Sequence, residues 1–298
     1  MTARQTGQIV KSYGRRYVVK CLDGTVYDCT TRGKKTNFAC GDRVELTPQN
    51  TEQAVIEATL PRQSLLYRSD AFRSKLIAAN VTQLVIVLAP VPTFSEMLLN
   101  RCLVAAEAAG IAVLIALNKS DLPEAAEARE RLKAWEALGY RVLMLSATTD
   151  IAPLRPYLAG HTSVLVGQSG MGKSTLTNAL LPEARARVGE ISVALDSGRH
   201  TTTHAELYDL DADSHLIDSP GLQEFGLHHL VAADLIYDFP EFRGLVGKCR
   251  FHNCTHRVEP SCALIAATQA GEATPDRLAF FQRLMDELAP RTSSRGGR

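Results

Sequence analysis

The sequence predicts an α/β protein: a core domain on a mostly parallel sheet, preceded by a small β-barrel and followed by a helical module built on a Cys/His cluster. Three observations predict it. Residues 1–60 hold five short strand-like segments without helical periodicity. From about residue 80, continuous apolar runs alternate with amphipathic stretches, the pattern of a parallel sheet covered on both faces. Residues 249–262 gather three of the seven cysteines with histidines. The expected boundaries are 1–62, 63–236 and 237–298.

The barrel strands are expected at Gln8–Val10, Tyr17–Cys21, Thr25–Cys29, Arg43–Thr47 and Ala54–Ala58, separated by Gly-, Asp- or Lys-bearing turns. An OB-type barrel is the first choice and an SH3-like barrel the alternative. The basic loop Arg32-Gly33-Lys34-Lys35 suits a phosphate backbone or a solvated hairpin tip. Val81–Ala89, Ile111–Leu117, Arg141–Leu145 and Ser163–Val166 read as buried strands. Glu96–Ala109 and Glu124–Leu138 read as helices, and Lys173–Leu181 as a helix after a Gly-rich turn. Ala205–Leu210 and His215–Ile217 read as a hairpin at the sheet edge. Pro275 after Thr274 opens a last helix with a stripe of Leu278, Phe281, Leu284, Met285 and Leu288. The tail from Arg291 is expected to be disordered.

Composition fits this division. Of 298 residues, 45% are hydrophobic and 22% charged, which excludes collagen-like, coiled-coil and wholly disordered chains. Met1–Gly7 lacks the apolar core of a signal peptide, and the apolar runs fall short of the ~18 residues of a membrane span. Seven cysteines, an odd count, argue against a disulfide framework. A reducing cytoplasm and no membrane partner are expected. Net charge is +5 over residues 1–68, 0 over 69–160, −7 over 161–240 and +3 over 241–298. Basic ends suit a polyanion such as nucleic acid.

The strongest motif is Gly167-Gln168-Ser169-Gly170-Met171-Gly172-Lys173-Ser174, followed by Thr175. Placed between a strand and a helix it is a P-loop: backbone N–H groups and the helix N-terminus cradle phosphates, Lys173 reaches the outer phosphates and Ser174 offers a hydroxyl to Mg²⁺. Asn118-Lys119-Ser120-Asp121 sits directly after a strand. Asp121 can accept two hydrogen bonds from guanine, a donor pair adenine lacks. Asn118 can bond the base edge and brace the P-loop, while Lys119 packs its stem over the ring. Ser146-Ala147 can place a backbone N–H on the guanine carbonyl. Asp218-Ser219-Pro220-Gly221 ends another strand, where Asp218 suits Mg²⁺ and the Gly221 N–H the γ-phosphate. Thr201 and Thr202 are alternative further Mg²⁺ ligands.

Together these motifs describe a P-loop GTPase in permuted order, because the base-reading motifs precede the P-loop. A metabolic kinase or ATPase would give no reason for Asn118–Asp121. The pattern Cys249-x4-Cys254-x-His256-x5-Cys262 matches a closed structural zinc site, with His252 a competing ligand. A DNA-binding zinc finger is disfavoured because the spacing is wrong for the ββα type. Cys21, Cys29, Cys40 and Cys102 are expected to pack. Leu222 stands where Ras-like enzymes carry the water-orienting Gln, and Gln223 is one place late, so slow intrinsic turnover is expected.

The basic barrel, the permuted motifs including Gly198-Arg199-His200-Thr201-Thr202-Thr203, and the Cys/His spacing resemble the bacterial ribosome small-subunit-dependent GTPase A family (RsgA, also called YjeQ). The resemblance spans roughly residues 5–290. It implies an N-terminal OB-fold, a circularly permuted GTPase and a zinc domain. It also implies binding to small-subunit rRNA and GTP hydrolysis late in small ribosomal subunit maturation. By the same resemblance His200 positions the attacking water, beside Lys173 and Gly221 as catalytic groups. A monomer is expected.

Overall fold

The computed structural model describes residues 4–33, 37–69, 74–181, 205–218 and 227–289. The chain forms two units, residues 1–68 with 75–225 and residues 69–74 with 226–298.

In the first unit, β1 (Gln5–Tyr13), β2 (Arg16–Cys21), β3 (Val26–Thr31), β4 (Arg43–Pro48) and β5 (Gln53–Thr59) close a five-stranded OB-like ring. Its order is β1-β2-β3-β5-β4, with β4 returning to β1; β3 and β5 run parallel and the other pairs antiparallel. Alternate residues point inward, so Ile9, Tyr17, Val19, Tyr27, Cys29, Val44, Leu46 and Ile56 fill the barrel. All five strands appear where the alternation placed them, and the closure of β4 on β1 favours the OB-type over the SH3-like alternative. Two further strands, β6 (Leu65–Ser69) and β7 (Ser74–Ala79), pair in a small sheet that the sequence reading did not anticipate.

The core domain follows. β8 (Gln83–Leu88), β9 (Ala112–Leu117), β10 (Arg141–Met144), β11 (Thr162–Val166) and β13 (His215–Asp218) are parallel in the order β10-β9-β8-β11-β13. Every residue of β8 is buried, which explains its continuous apolar run. Helix α1 (Glu96–Ala109) starts where the Ser95 hydroxyl accepts from the Leu98 N–H and stops at Gly110 in the left-handed region. The helix expected over 124–138 is instead two, α2 (Ala125–Arg131) and α3 (Lys133–Ala137). At Leu132 the bonding tightens to i→i+3, with the Leu132 N–H on the Arg129 carbonyl and the Trp135 N–H on the Leu132 carbonyl. A 3₁₀ turn aligns residues three apart, so Leu132 and Trp135 are both buried and the Trp135 indole donates to Asn100 Oδ1 at 2.9 Å.

The hairpin of β12 (Ala205–Asp209) and β13 does not end the sheet. β12 pairs with β1 of the barrel, so barrel and core share eleven hydrogen-bonded strands. A second tie is polar. Arg62 holds the fully buried Asp42 through two bonds of 2.6 and 2.7 Å, and Asn80 Nδ2 donates to the Gly41 carbonyl at 2.9 Å.

The second unit packs Phe239, Phe242, Phe280 and Phe281 as an aromatic cluster. Its last helix, Pro275–Leu288, is capped by Thr274 as expected. The buried face differs from the predicted stripe: Arg277 and Phe280 join Phe281 and Leu284, while Leu278, Met285 and Leu288 are only half-buried. The reason is an ion pair. Arg277 Nε lies 2.6 Å from Glu241 Oε1, both side chains are buried, and the guanidinium lies 4.6 Å from the Phe239 ring centre. Cys21, Cys29, Cys40 and Cys102 are buried as expected, and burial pushes the Cys29 thiol up to about 12. The expected disordered tail from Arg291 lies outside the described residues.

Candidate functional site

The motifs converge at the C-terminal ends of the parallel strands, the ligand-binding edge of an open α/β sheet. The P-loop leaves β11 and enters α4 (Lys173–Leu180). Gly167 has φ +147, and a Cβ there would lie 2.2 Å from the Val87 carbonyl oxygen of β8. Gly172 has φ +93, and a Cβ there would meet Asn118 Nδ2 at 2.2 Å. Both positions therefore require glycine for their conformation and for the close approach. Met171 is buried, while Ser169, Gly170, Ser174 and Thr175 are exposed.

Asn118 ties three motifs together. It is buried; its Nδ2 donates to the Met171 carbonyl at 2.9 Å, and its Oδ1 accepts from the Ala147 N–H at 2.9 Å. The expected brace on the P-loop is present. The Ala147 N–H, one of the two in the Ser146-Ala147 turn, is engaged by Asn118 in this structure. Lys119 has φ +59, and its ammonium donates to the Val91 carbonyl at 2.7 Å. Asp121 is exposed, and its carboxyl is held below the usual carboxylate range first by a hydrogen bond from Ser146 and least by the Lys119 charge.

The Lys173 ammonium donates to the Gly167 and Gln168 carbonyls, each at 2.6 Å. Burial lowers its pKa, and the Asp218 charge acts in the opposite sense. Asp218 ends β13, beside the strand that enters the P-loop. A carboxylate and the Ser174 hydroxyl are hard oxygen donors, a set that suits Mg²⁺. Thr201, Thr202, His200, Gly221, Leu222 and Gln223 lie outside the described residues, as do Lys34 and Lys35 of the basic loop.

The sequence reading missed the loop after β8. The Ser95 N–H donates to Gln168 Oε1 at 2.6 Å, Val91 receives Lys119, and Pro92 lies against Gly170. The loop leaves the C-terminal end of β8, where ligands bind in such sheets, but its bonding partners lie far away in sequence.

In the second unit, the ligand atoms of Cys249, Cys254, His256 and Cys262 all lie within 4.8 Å of one another. Cys249 Sγ is 3.6 Å from His256 Nδ1 and 4.0 Å from Cys262 Sγ, and Cys262 Sγ is 3.4 Å from His256 Nδ1. Tetrahedral zinc, with Zn–S near 2.3 Å and Zn–N near 2.0 Å, requires S···S of about 3.8 Å and S···N of about 3.5 Å. The cluster fits such an ion. His256 has φ +60, the Gln282 amide donates to its carbonyl, and Phe281 meets its ring edge-on at 5.7 Å. Glu259 accepts from the Thr255 and Arg257 N–H groups at 2.7 and 2.9 Å, closing the loop between the ligands. His252 is exposed and outside the four.

The RsgA GTPase family model matches residues 59–228. A protein of Neisseria meningitidis serogroup B described as small ribosomal subunit biogenesis GTPase RsgA is 64% identical over 287 residues, 96% of this chain and 94% of that one. A protein of the same description from Nitrosospira multiformis is 52% identical, covering 97% and 94%. Among solved structures, YjeQ from Thermotoga maritima superposes with a TM-score of 0.75 at 30% identity, over 97% of this chain and all of that one. YloQ, described as a circularly permuted GTPase, gives 0.72 at 28% identity, covering 96% and 95%.

Proposed function

Since the chain belongs to the RsgA GTPase family, we propose that it hydrolyses GTP in the biogenesis of the small ribosomal subunit, bound to that subunit and its rRNA. The observation that carries this reading is the pair of hydrogen bonds made by the Asn118 amide, which fastens a base-reading strand end and the Ser146-Ala147 turn to the P-loop. Such a brace has a purpose where base and phosphates of one nucleotide are held at once.

In this reading the N–H groups of Gly167, Gln168, Ser169, Gly170, Met171 and Gly172 surround the phosphates, with Ser174 and Thr175 at the helix entrance. Lys173 leaves the Gly167 and Gln168 carbonyls for the outer phosphates. Asp121 pairs with guanine, Lys119 covers the ring, and Ser146 and Ala147 close the base edge. Ser174, Asp218 and one of Thr201 or Thr202 hold Mg²⁺, which offsets phosphate charge when bound. His200 positions water, and the Gly221 N–H meets the γ-phosphate. Cys249, Cys254, His256 and Cys262 hold one structural zinc. The working division is 1–62 for an RNA-binding barrel, 63–236 for the GTPase and 237–298 for the zinc domain, in a cytoplasmic monomer. Among the described residues no helix is long and apolar enough to cross a membrane.

Nucleotide competition tests the site. GDP should displace a fluorescent GDP analogue and ADP should not; equal displacement by both removes the guanine reading.

A further inference from the structure

Three charged residues from three adjacent strands stand in one row. Lys11 of β1 is the register partner of Glu206 in β12, and Glu206 is the register partner of Asp218 in β13. Residues directly opposite in antiparallel pairs project to the same face, with Cβ atoms about 4.5–5.5 Å apart. Lys11 Nζ lies 2.5 Å from Glu206 Oε1, with the two side chains 32% and 11% exposed. At the far end, the charge of Asp218 acts on Lys173 of the P-loop. The row reads cation, carboxylate, carboxylate, cation. Like charges directly opposite repel, and the barrel lysine compensates the carboxylate next to Asp218.

We propose that Lys11 is a positioning residue for the divalent cation of the nucleotide site: by engaging Glu206, it leaves Asp218 as the one effective carboxylate of the row. This rests on reading Asp218 as a magnesium ligand. The consequence follows from charge alone. Without Lys11, the Glu206 charge adds to the field at Asp218 and draws a divalent ion more strongly. With Glu206 neutral, Lys11 turns its charge toward Asp218 and competes with the ion. The two changes therefore act in opposite directions, and together they cancel. A divalent ion about 8 Å from a unit charge interacts as strongly as two unit charges at about 4 Å, which even in water means roughly a fivefold change in affinity. Calcium accepts more carboxylate oxygens than magnesium does, so losing Lys11 favours calcium more.

The test measures how Mg²⁺, and separately Ca²⁺, slows release of a fluorescent GDP analogue from the full-length protein at constant ionic strength. Lys11→Met should lower the Mg²⁺ midpoint roughly fivefold, and the Ca²⁺ midpoint further. Glu206→Gln should raise it by a similar factor. The double variant should return to within about twofold of the parent, and Lys11→Arg should match the parent. A purely structural contact predicts shifts of the same sign in both single variants and no recovery in the double, and that result overturns the proposal, as do unchanged midpoints. Asp218→Asn separates the two levels. If it leaves the midpoint unchanged, the magnesium reading itself fails; if it raises the midpoint while Lys11 and Glu206 variants do nothing, only the proposal fails. Should Lys11→Met not fold, the near-isosteric Glu206→Gln decides alone.

Discussion

Asn118 shows at the scale of one residue how the site is assembled. Its amide satisfies a P-loop carbonyl and a backbone N–H on a different strand end; Asn118 and Met171 are buried and Ala147 is half-buried. Asn118→Ala leaves the buried Met171 carbonyl without its partner, at a cost of about 1–3 kcal/mol. Thermal unfolding and GDP titration should show stability and affinity falling together. Asp121 acts differently, since it is exposed and not part of the buried frame. Asp121→Asn replaces one acceptor by a donor, so GDP should bind about tenfold or more weakly while xanthosine diphosphate gains; isothermal titration with both nucleotides checks it. The identities of these residues were readable because each motif is local, with strand, turn and helix within a dozen positions. The Val91–Ser95 loop was not readable. Its bonds to Gln168 and Lys119 join segments far apart in sequence, and nothing in its composition names its partner.

At the scale of elements, periodicity placed strands and helices well where one face is uniformly apolar. It failed where a polar group is buried with a partner. Arg277 would be assigned to solvent by any hydrophobic count, yet its bond to Glu241 turns the last helix so that Phe280 is inside. Arg277→Met should therefore destabilise the second unit by about 3–5 kcal/mol, because it leaves Glu241 buried without its cation; Arg277→Met with Glu241→Leu should recover much of this, as read by urea unfolding. Cys249, Cys254, His256 and Cys262, the proposed zinc ligands, belong to the same unit. Chelation, or Cys254→Ser, should unfold it while GDP binding persists, since metal-binding energy is folding energy in so small a module. Far-ultraviolet circular dichroism with parallel GDP titration distinguishes the two effects. The junction of barrel and hairpin carries a pH signature. Burial would raise the Asp209 carboxyl, but bonds from Lys20 at 2.8 Å and His215 at 2.9 Å hold it below the usual range. A depressed carboxylate contributes stability above its unfolded value of about 4 and loses it as pH falls through the lower folded value. Lys20→Met should flatten the stability profile in that acid window.

At the scale of the whole molecule, the charge division sets the partner and the sheet sets the coupling. The acidic 161–240 segment carries P-loop and Asp218, whereas residues 1–68 at +5 and 241–298 at +3 are suited to phosphates. A barrel expected over residues 1–62 as a domain of its own invites deletion of residues 1–60 as a test of subunit binding. The structure argues against that experiment, because deleting residues 1–60 strips β1 from β12 and uncovers a strand edge. Reversing the exposed charges of Arg15 and Arg16 is the cleaner change. It should weaken small-subunit binding and reduce its salt dependence, while GDP affinity stays unchanged.

In the proposed reading hydrolysis depends on the small subunit, because Leu222 stands where Ras-like enzymes carry the water-orienting Gln. The direct measurement is GTP turnover by the full-length protein alone, with purified small subunits, and with purified large subunits. Slow turnover alone and strong acceleration by small subunits only is the predicted result. Equal turnover in all three conditions would contradict it.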